Sequence, residues 1–262
     1  MPKITIVTVT FNAIGCLEKT INSIIEQNYS NLEYIIIDGG SIDGTIDIIH
    51  KYETKISCWI SEPDHGIYDA MNKGIHLASG EWINFMNAGD QFASSDILYK
   101  IFNNKKISNV DFIYGDSIRE DNLGAYYYQA KPFWESTKYC PIGGICHQSS
   151  FVRLDWAKKN NFDLHYRYSA DYAFMWNLYN AGKKFYYIPM AIALYDLTNS
   201  FSTREVKGVI NDAAEITRTE KNLYFYCWRE YKYWKNKMGC FCKKKLHIRT
   251  VSYTHLRAHE TR

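Results

Sequence analysis

The length, composition and charge of the chain exclude several classes of protein. It has 262 residues, of which 46% are apolar and 16% aromatic, and its net charge is +3. These values are typical of a globular protein with a buried core and not of a disordered chain. Residues 229–249 hold eight Lys and Arg and one Glu, so the first 228 residues are net acidic. An acidic body argues against a nucleic-acid enzyme, whose phosphate-binding groove would be basic.

Two features of the sequence bear on cellular location. No apolar run reaches the roughly 18 residues that span a membrane, and the run at 4–9 is too short for a signal peptide. The seven cysteines lack the spacing of a disulfide framework, which indicates reduced thiols. Cys240 and Cys242 with His247 lack the second ligand pair of a structural zinc site. We therefore expect a cytoplasmic protein.

The first half of the chain predicts alternating strands and helices. Apolar runs predict strands, and apolar residues at helical spacing predict the helices between them; the strands are expected at 4–10, 33–38, 56–61 and 81–86. Such alternation forms a parallel sheet with helices on both faces, which binds ligands beyond the carboxyl ends of its strands. Three strands end in polar clusters, at Thr10-Phe11-Asn12, Asp38-Gly39-Gly40-Ser41 and Asn87-Ala88-Gly89-Asp90.

The second half predicts a continuation of the same sheet. A loop is expected at 132–150 and a helix through Phe174 and Leu178, ended by Gly182. Further strands are expected at 111–115, 125–129, 184–188 and 191–195.

These patterns divide the chain into three parts. Residues 1–203 are expected to form one domain, with a first half at 1–105 and a second half at 106–203. A helical extension rich in basic and aromatic residues is expected at 204–249, with continuous helix over 204–237. Residues 250–262 follow no apolar period and resemble translated adapter sequence, so we expect them to be non-native.

Five fragments, in register over residues 3–90, resemble the opening of family 2 glycosyltransferases. They are residues 4–12, 36–45, 61–75, 78–81 and 87–90, the third reading Ser61-Glu62-Pro63-Asp64-His65-Gly66-Ile67-Tyr68-Asp69-Ala70-Met71-Asn72-Lys73-Gly74-Ile75. The resemblance implies the GT-A fold, a mostly parallel Rossmann-like sheet flanked by helices, here with the C-terminal helical extension. The third fragment looks most like members that assemble bacterial capsule, O-antigen or exopolysaccharide chains. Looser similarity continues at Cys146-His147-Gln148-Ser149 and Ala170-Asp171-Tyr172.

Residues at the ends of the first two predicted strands are expected to bind the nucleotide. Asp38 is implied to accept hydrogen bonds from the nucleotide, the alternative being a solvated Asp of a turn. Thr10 and Asn12 are expected to contact the nucleotide because they end the first strand. Gly39 stands where the family usually has a second Asp, which leaves open whether the donor carries uridine or guanosine.

Three polar residues on one predicted helix are implied to bind the rest of the donor. Asp69, Asn72 and Lys73 point away from the apolar stripe formed by Met71 and Ile75. The resemblance places the three near the donor sugar and its diphosphate. The alternative is a solvated helix face.

A divalent cation is expected beside the diphosphate. Sugar transfer leaves a nucleoside diphosphate, whose charge needs a cation or basic groups. The family commonly supplies an Asp-x-Asp-like cluster after the fourth strand, where this chain has one carboxylate, Asp90. Asp90 is therefore the predicted ligand of Mg²⁺ or Mn²⁺, and the alternative is a structural Asp in a turn.

Asp171 is implied to be the catalytic base. In the family a carboxylate at this place takes the proton from the acceptor hydroxyl, and a single base without a carboxylate nucleophile implies displacement with inversion. The start of a helix favours the charged form of the carboxylate, although a helix N-cap is the alternative. His147 and Gln148 are expected to contact the acceptor or a phosphate, the alternative being a packed histidine.

The basic aromatic extension predicts a membrane contact. Residues 223–249 mix Tyr and Trp with Lys and Arg, a composition that can lie on an anionic membrane surface. This contact would suit an enzyme that binds a saccharide or lipid-linked saccharide acceptor at the inner face of the plasma membrane. The alternative is an ordinary solvated helix face.

The predicted function is an inverting glycosyltransferase of bacterial surface polysaccharide synthesis that uses a UDP- or GDP-linked sugar. A nucleotidyltransferase is one alternative, but residues 10–20 contain one Gly and one Lys instead of a basic glycine-rich phosphate loop. A non-catalytic nucleotide-sugar-binding protein of the same fold is the other. In such a protein, Asn87 and Gly89 would be losses of catalytic ligands. The presence of three carboxylates favours an enzyme: Asp38, Asp90 and Asp171.

Overall fold

Strands and helices alternate along the first part of the computed structural model, which describes residues 1–132, 144–198, 205–219, 227, 229–231 and 234. The four strands predicted for this part are confirmed, with β3 and β4 shorter than their apolar runs. In chain order the elements are β1 (Ile4–Thr10), α1 (Leu17–Ile25), β2 (Leu32–Asp38), α2 (Thr45–Lys51), β3 (Cys58–Ser61), α3 (Ile67–Leu77) and β4 (Trp82–Phe85).

The second part contains longer strands than the sequence predicted. The segments 184–188 and 191–195 form one strand, because the register of its pairing shifts at a bulge opposite Asp116 instead of breaking at a turn. Part of the loop expected at 132–150, residues 133–143, lies outside the described residues. The elements are β5 (Gln91–Phe92), α4 (Ile97–Phe102), β6 (Phe112–Asp121), β7 (Gly124–Tyr128), β8 (Ser150–Arg153), α5 (Leu154–Lys159), α6 (Ala170–Asn180), β9 (Phe185–Asp196) and α7 (Val206–Thr217).

All of these strands belong to one sheet. Its order is β3-β2-β1-β4-β8-β6-β9-β5, with β7 paired to β6. The first four strands are parallel, and β8 joins the second part to them by antiparallel pairing with β4. The carboxyl ends of β1, β2 and β3 therefore meet at one edge of the sheet, where the polar clusters of the sequence lie.

Both faces of the sheet are covered. Along β1, Ile4 and Ile6 pack into one core with helices α1 and α4, while Val7 and Val9 pack into the other with α3 and α6. Every residue of β1 is buried. This explains why its sequence is a continuous run of apolar and Thr residues rather than an alternating pattern.

One close approach between loop and strand offers a test of the packing. A Cβ on Gly80 would lie 2.8 Å from the carbonyl oxygen of Lys3 and 2.9 Å from the amide nitrogen of Thr5, both backbone atoms of the β1 region. We expect Gly80→Ala to lower the free energy of unfolding by about 1–3 kcal/mol, since the backbone must shift. Urea denaturation measures this change.

The matched control for this substitution is Gly15→Ala. A Cβ on Gly15 would meet no atom within 4 Å, so the free energy of unfolding should stay within about 0.5 kcal/mol or rise slightly. Equal stabilities of the Gly80 and Gly15 variants would contradict the close packing at Gly80.

The C-terminal extension is not one continuous helix over 204–237. Helix α7 ends at Thr217, where Arg218 adopts a left-handed backbone conformation with φ of 57°. Positions 227, 229–231 and 234 are again helical. Residues 250–262 and most of 223–249 lie outside the described residues. In the described parts of the chain, no helix has the length and apolar character needed to cross a membrane.

Candidate active site

The carboxylate of Asp38 organises the turn that follows β2. Its Oδ2 accepts hydrogen bonds from the backbone N–H groups of Gly40 at 3.0 Å and Ser41 at 2.8 Å, and from the Ser61 hydroxyl at 2.7 Å. Its Oδ1 accepts from the Ser41 hydroxyl. Asp38 lies at the predicted strand end but is fully buried. Its oxygens bond to the turn itself, and its contact with the nucleotide stays a prediction.

Asn12 joins the loop after β1 to the loop after β2. Its backbone φ of 47° lies in the left-handed region, which Asn tolerates better than most residues. Its Oδ1 accepts the N–H of Ile42 at 3.0 Å, and its own N–H donates to the Ser41 hydroxyl at 2.7 Å. The hydroxyl of Thr10 is buried and has no hydrogen-bond partner among the described residues. Thr10 and Asn12 thus lie at the predicted edge of the sheet.

The three polar residues of α3 do not converge on one point. The amide of Asn72 donates to the carbonyl of Phe162 at 2.9 Å and accepts its N–H at 2.8 Å, so this side chain ties α3 to the segment before α6. Lys73 forms an ion pair with Glu62 at 2.8 Å, and its Nζ lies 3.9 Å from Oδ2 of Asp69. Asp69 and Lys73 therefore support the loop before α3, whereas Asn72 binds elsewhere.

Asp171 receives hydrogen bonds from two distant parts of the chain. His147 Nδ1 lies 3.0 Å from its Oδ2, and the Tyr68 hydroxyl donates to its Oδ1 at 2.9 Å. The backbone N–H of Tyr172 also donates to Oδ1, at 2.9 Å. Asp171 is the second residue of α6, whose N-cap is Ser169, so it does not cap the helix.

The surroundings of Asp171 keep its carboxylate charged. Burial by itself would raise the pKa of Asp171, but the hydrogen bonds from His147 and Tyr68 outweigh it and hold the pKa below its ordinary value. The side chain remains 23% exposed. A charged carboxylate that is held in place and still reachable from solvent is suited to accept a proton from a bound hydroxyl.

The ring of His147 is fixed on both sides. Its Nε2 lies 3.0 Å from Nδ2 of Asn87. Because an amide nitrogen donates and cannot accept, Nε2 is the acceptor and the ring proton lies on Nδ1, facing Asp171. His147 is therefore a partner of the carboxylate, a role that the sequence did not predict, and its contact with an acceptor stays a prediction.

Both oxygens of Asp90, the predicted metal ligand, accept hydrogen bonds from the protein. Its Oδ2 accepts from Gln148 Nε2 at 2.7 Å and its Oδ1 from the N–H of Asp196 at 3.0 Å. Asp90 is 4% exposed, and burial raises its pKa to about 6. No group of three His, Cys, Asp or Glu side chains in the described part of the chain could hold a metal ion. A Mg²⁺ or Mn²⁺ ion here would depend on Asp90 together with diphosphate oxygens and water, and Asp90 as its ligand stays a prediction.

Gln148 and His147 connect the two carboxylates. Gln148 bonds to Asp90 while the neighbouring His147 bonds to Asp171, and both lie on the short 3₁₀ turn His147–Ser149 that precedes β8. The structure thus brings together four residues predicted from the sequence, and the contact of Gln148 with an acceptor stays a prediction.

Tyr68 is the site residue that sequence reasoning missed. Helical spacing places Tyr68 on the same apolar face as Met71 and Ile75, and the residue is 9% exposed. Its hydroxyl nevertheless contacts Asp171, 103 positions further along the chain. The available signal was chemical, since a buried tyrosine hydroxyl needs a hydrogen-bond partner.

Comparison with known proteins identifies the class to which this fold and site belong. The family model described as glycosyl transferase family 2 matches residues 5–168. The chain belongs to this family and is a glycosyltransferase.

Two relatives illustrate how far the similarity extends. An uncharacterised glycosyltransferase of Mycobacterium tuberculosis is 39% identical over 98 residues, a match that covers 37% of this chain and 37% of that protein. A glycosyltransferase of PGL/p-HBAD biosynthesis from Mycobacterium bovis is 31% identical over 183 residues, which cover 66% of this chain and 68% of the relative. The first match thus spans well under two thirds of that relative's own length.

Two solved structures share the fold. The S. aureus protein TarS, as residues 1–349 in complex with UDP-GlcNAc, has a TM-score of 0.62 and 14% identity over 82% of this chain and 66% of that one. The mannosyltransferase PcManGT from Pyrobaculum calidifontis, in complex with GDP-Man and Mn²⁺, has a TM-score of 0.64 and 14% identity over 93% and 76%. The predicted GT-A fold is confirmed.

Proposed function

We propose that this glycosyltransferase is an inverting enzyme that moves a sugar from a nucleoside diphosphate to a hydroxyl of a saccharide acceptor. The observation that carries the proposal is the charged, partly exposed Asp171 held by His147 and Tyr68. Among the described residues, no other carboxylate bonds to Asp171. A single base of this kind fits direct displacement better than a double displacement through a covalent intermediate.

The reaction follows from the position of this base. Asp171 accepts the proton of the acceptor hydroxyl while the hydroxyl oxygen attacks the anomeric carbon of the donor. The bond between that carbon and the diphosphate oxygen breaks, and the diphosphate leaves with the bonding electrons. Attack from the face opposite the leaving group inverts the anomeric configuration. The charge of the leaving diphosphate would be neutralised by a divalent cation held with Asp90, or by basic side chains.

The donor and acceptor classes are proposed from the relatives and fold neighbours. Fold neighbours were solved with UDP-GlcNAc and with GDP-Man, which supports a nucleotide-sugar donor. A relative named for PGL/p-HBAD biosynthesis supports a role in making cell-surface glycans. Contact of residues 223–249 with an anionic membrane, and with a lipid-linked acceptor there, belongs to the same proposal. Two described positions of that segment, Tyr231 and Trp234, are exposed by 55% and 61%.

Binding and product analysis together test this function. At a concentration 100-fold above its Kd, the correct nucleoside diphosphate should stabilise the fold by about 2.7 kcal/mol, visible as a thermal shift. The matching nucleotide sugar should then yield a product whose anomeric configuration, read by NMR, is inverted relative to the donor. Retained configuration would contradict the proposed mechanism. Binding without hydrolysis or transfer would favour the non-catalytic alternative.

A further inference from the structure

Arg119 lies close to the carboxyl end of β6, at the same edge of the sheet as Asp90. Strand β8 pairs antiparallel with both β4 and β6, so β4 and β6 run in the same direction. Asp90 follows the end of β4, and β6 ends at Asp121. In the order of the sheet, β4 and β8 separate β6 from β1 and β2. Arg119 therefore belongs to the half of this edge that does not carry the loops after β1 and β2.

Three tyrosines lie beside the guanidinium of Arg119. Tyr126 of β7 and Tyr195 of β9 are its direct partners on the two neighbouring strands, and directly paired residues point to the same face of a sheet. The guanidinium carbon lies 3.4 Å from the ring centre of Tyr128 and 6.0 Å from that of Tyr195, which are cation–π distances. A ring thus covers the flat face of the guanidinium, and its N–H groups, which lie in its plane, are directed elsewhere.

The charge of Arg119 has no anionic partner in the part of the chain that the structure describes. Its Nε is buried and donates no hydrogen bond there, and no carboxylate of that part forms an ion pair with it. Arg153 differs in this respect, since it lies 4.3 Å from the ring centre of Trp82 but also pairs with Glu81 at 3.7 Å. A buried N–H of a charged group costs free energy when it lacks an acceptor. The unpaired guanidinium therefore indicates an anion that comes from a ligand.

Arg119 also lies near the turn that holds the proposed base. Burial raises the pKa of the Cys146 thiol, and the positive charge of Arg119 opposes this rise, so the two side chains are close. The Cys146 thiol donates to Oε1 of Gln148 at 2.6 Å. His147, between these two residues in the chain, contacts Asp171. A molecule bound over Arg119 would therefore reach Asp171 from the side away from the β1 and β2 loops.

We propose that Arg119, together with Tyr126 and Tyr128, binds an anionic group of the saccharide acceptor, an inference that rests on the proposed function. The fork of N–H groups on a guanidinium matches the oxygens of a carboxylate or a phosphate. The ring of Tyr126 is 44% exposed and offers an apolar surface to the sugar ring that carries this group. The acceptor is thus a saccharide that bears a uronic acid carboxylate or a phosphate close to the hydroxyl that Asp171 deprotonates.

Ligand-observed NMR titration of the full chain tests this assignment with glucose, galactose and mannose, each compared with its uronic acid and its 6-phosphate. UDP or GDP is present at saturation, so that a sugar phosphate cannot enter the nucleotide site. In at least one series, an anionic sugar should bind about tenfold more tightly than the neutral sugar, the effect expected for a charged hydrogen bond. The tighter of the two anionic sugars identifies the group as a carboxylate or a phosphate.

Substitutions at Arg119 should remove this preference for charge. Arg119→Gln should bind the anionic and neutral sugars with similar affinity, whereas Arg119→Lys should keep part of the difference, because it retains the charge but not the paired N–H groups. Arg153→Gln is the matched control, since Arg153 also stacks on an aromatic ring but has a carboxylate partner. This control should keep the preference of the parent.

Two further measurements separate ligand binding from other roles of Arg119. The melting temperature of the unliganded Arg119→Gln chain should fall by no more than about 4 °C, because no carboxylate of the described residues loses a partner. The Kd of UDP or GDP should stay within about twofold of the parent. A larger drop in melting temperature would assign Arg119 to internal packing, and a weaker nucleotide would assign it to the donor. Either result would overturn the proposal.

The remaining outcomes distinguish this inference from the proposed function. Retention of the charge preference in Arg119→Gln would show that another residue binds the anion, and the assignment of Arg119 would be wrong. A parent protein without any preference for the anionic sugars would contradict the proposed acceptor class, while transfer with inversion to a neutral saccharide would leave the proposed function standing. If the parent binds no nucleoside diphosphate, both are wrong.

Discussion

Asp171→Asn is expected to reduce sugar transfer by about 10²–10⁴-fold, the usual effect of removing a general base. The amide has the shape of the carboxylate and can still accept the hydrogen bond that the Tyr68 hydroxyl donates. It cannot take up the proton of an acceptor hydroxyl at ordinary pH. The loss should therefore appear in kcat, measured with saturating donor and acceptor.

Donor binding should distinguish this loss from a general disruption of the site. Asp171 acts on the acceptor proton, so the Kd of the nucleoside diphosphate should change little in Asp171→Asn. Asp155→Asn, on the exposed side of α5, serves as the control and should keep both transfer and binding. Transfer within a fewfold of the parent would remove Asp171 from the mechanism.

His147→Ala is expected to reduce transfer about ten- to a hundredfold near neutral pH, because a hydrogen bond to a charged group contributes about 1.5–3 kcal/mol. The variant leaves Oδ2 of Asp171 without its partner at 3.0 Å. His147→Asn should recover part of the rate, since its amide can donate from near the position of Nδ1. His165→Ala, at an exposed histidine paired with Glu215, is the control and should behave like the parent.

The pH profile shows whether His147 acts through Asp171. Burial raises the pKa of Asp171, and the hydrogen bonds of His147 and Tyr68 lower it by more. The base works when deprotonated, so the rate falls as pH drops through this pKa. Without His147 the effect of burial is less opposed, the pKa rises, and the acidic limb of the profile should move to higher pH. An unmoved limb in His147→Ala would show that His147 does not tune this carboxylate.

Local patterns were sufficient to predict the secondary structure of the first half. The strand at Ile4–Thr10 and the helix beginning at Leu17 follow from apolar runs and helical spacing, which depend on neighbouring residues only. The second half was harder because its decisive features are not local. A bulge opposite Asp116 keeps β9 continuous where the sequence shows a break, and β8 is defined by its antiparallel pairing with β4.

The sequence by itself also determined the family and the place of the site at the strand ends, because those motifs are short and contiguous. Only the tertiary structure decided what each side chain does there. Folding brings Tyr68 and His147 to Asp171 across 103 and 24 positions, and it places Arg119 beside Tyr195. The roles of the remaining residues depend on burial and on available partners, which periodicity does not encode. Asp38, Asn72 and Asp90 are each bonded to the protein itself, so these residues hold the loops of the site in place.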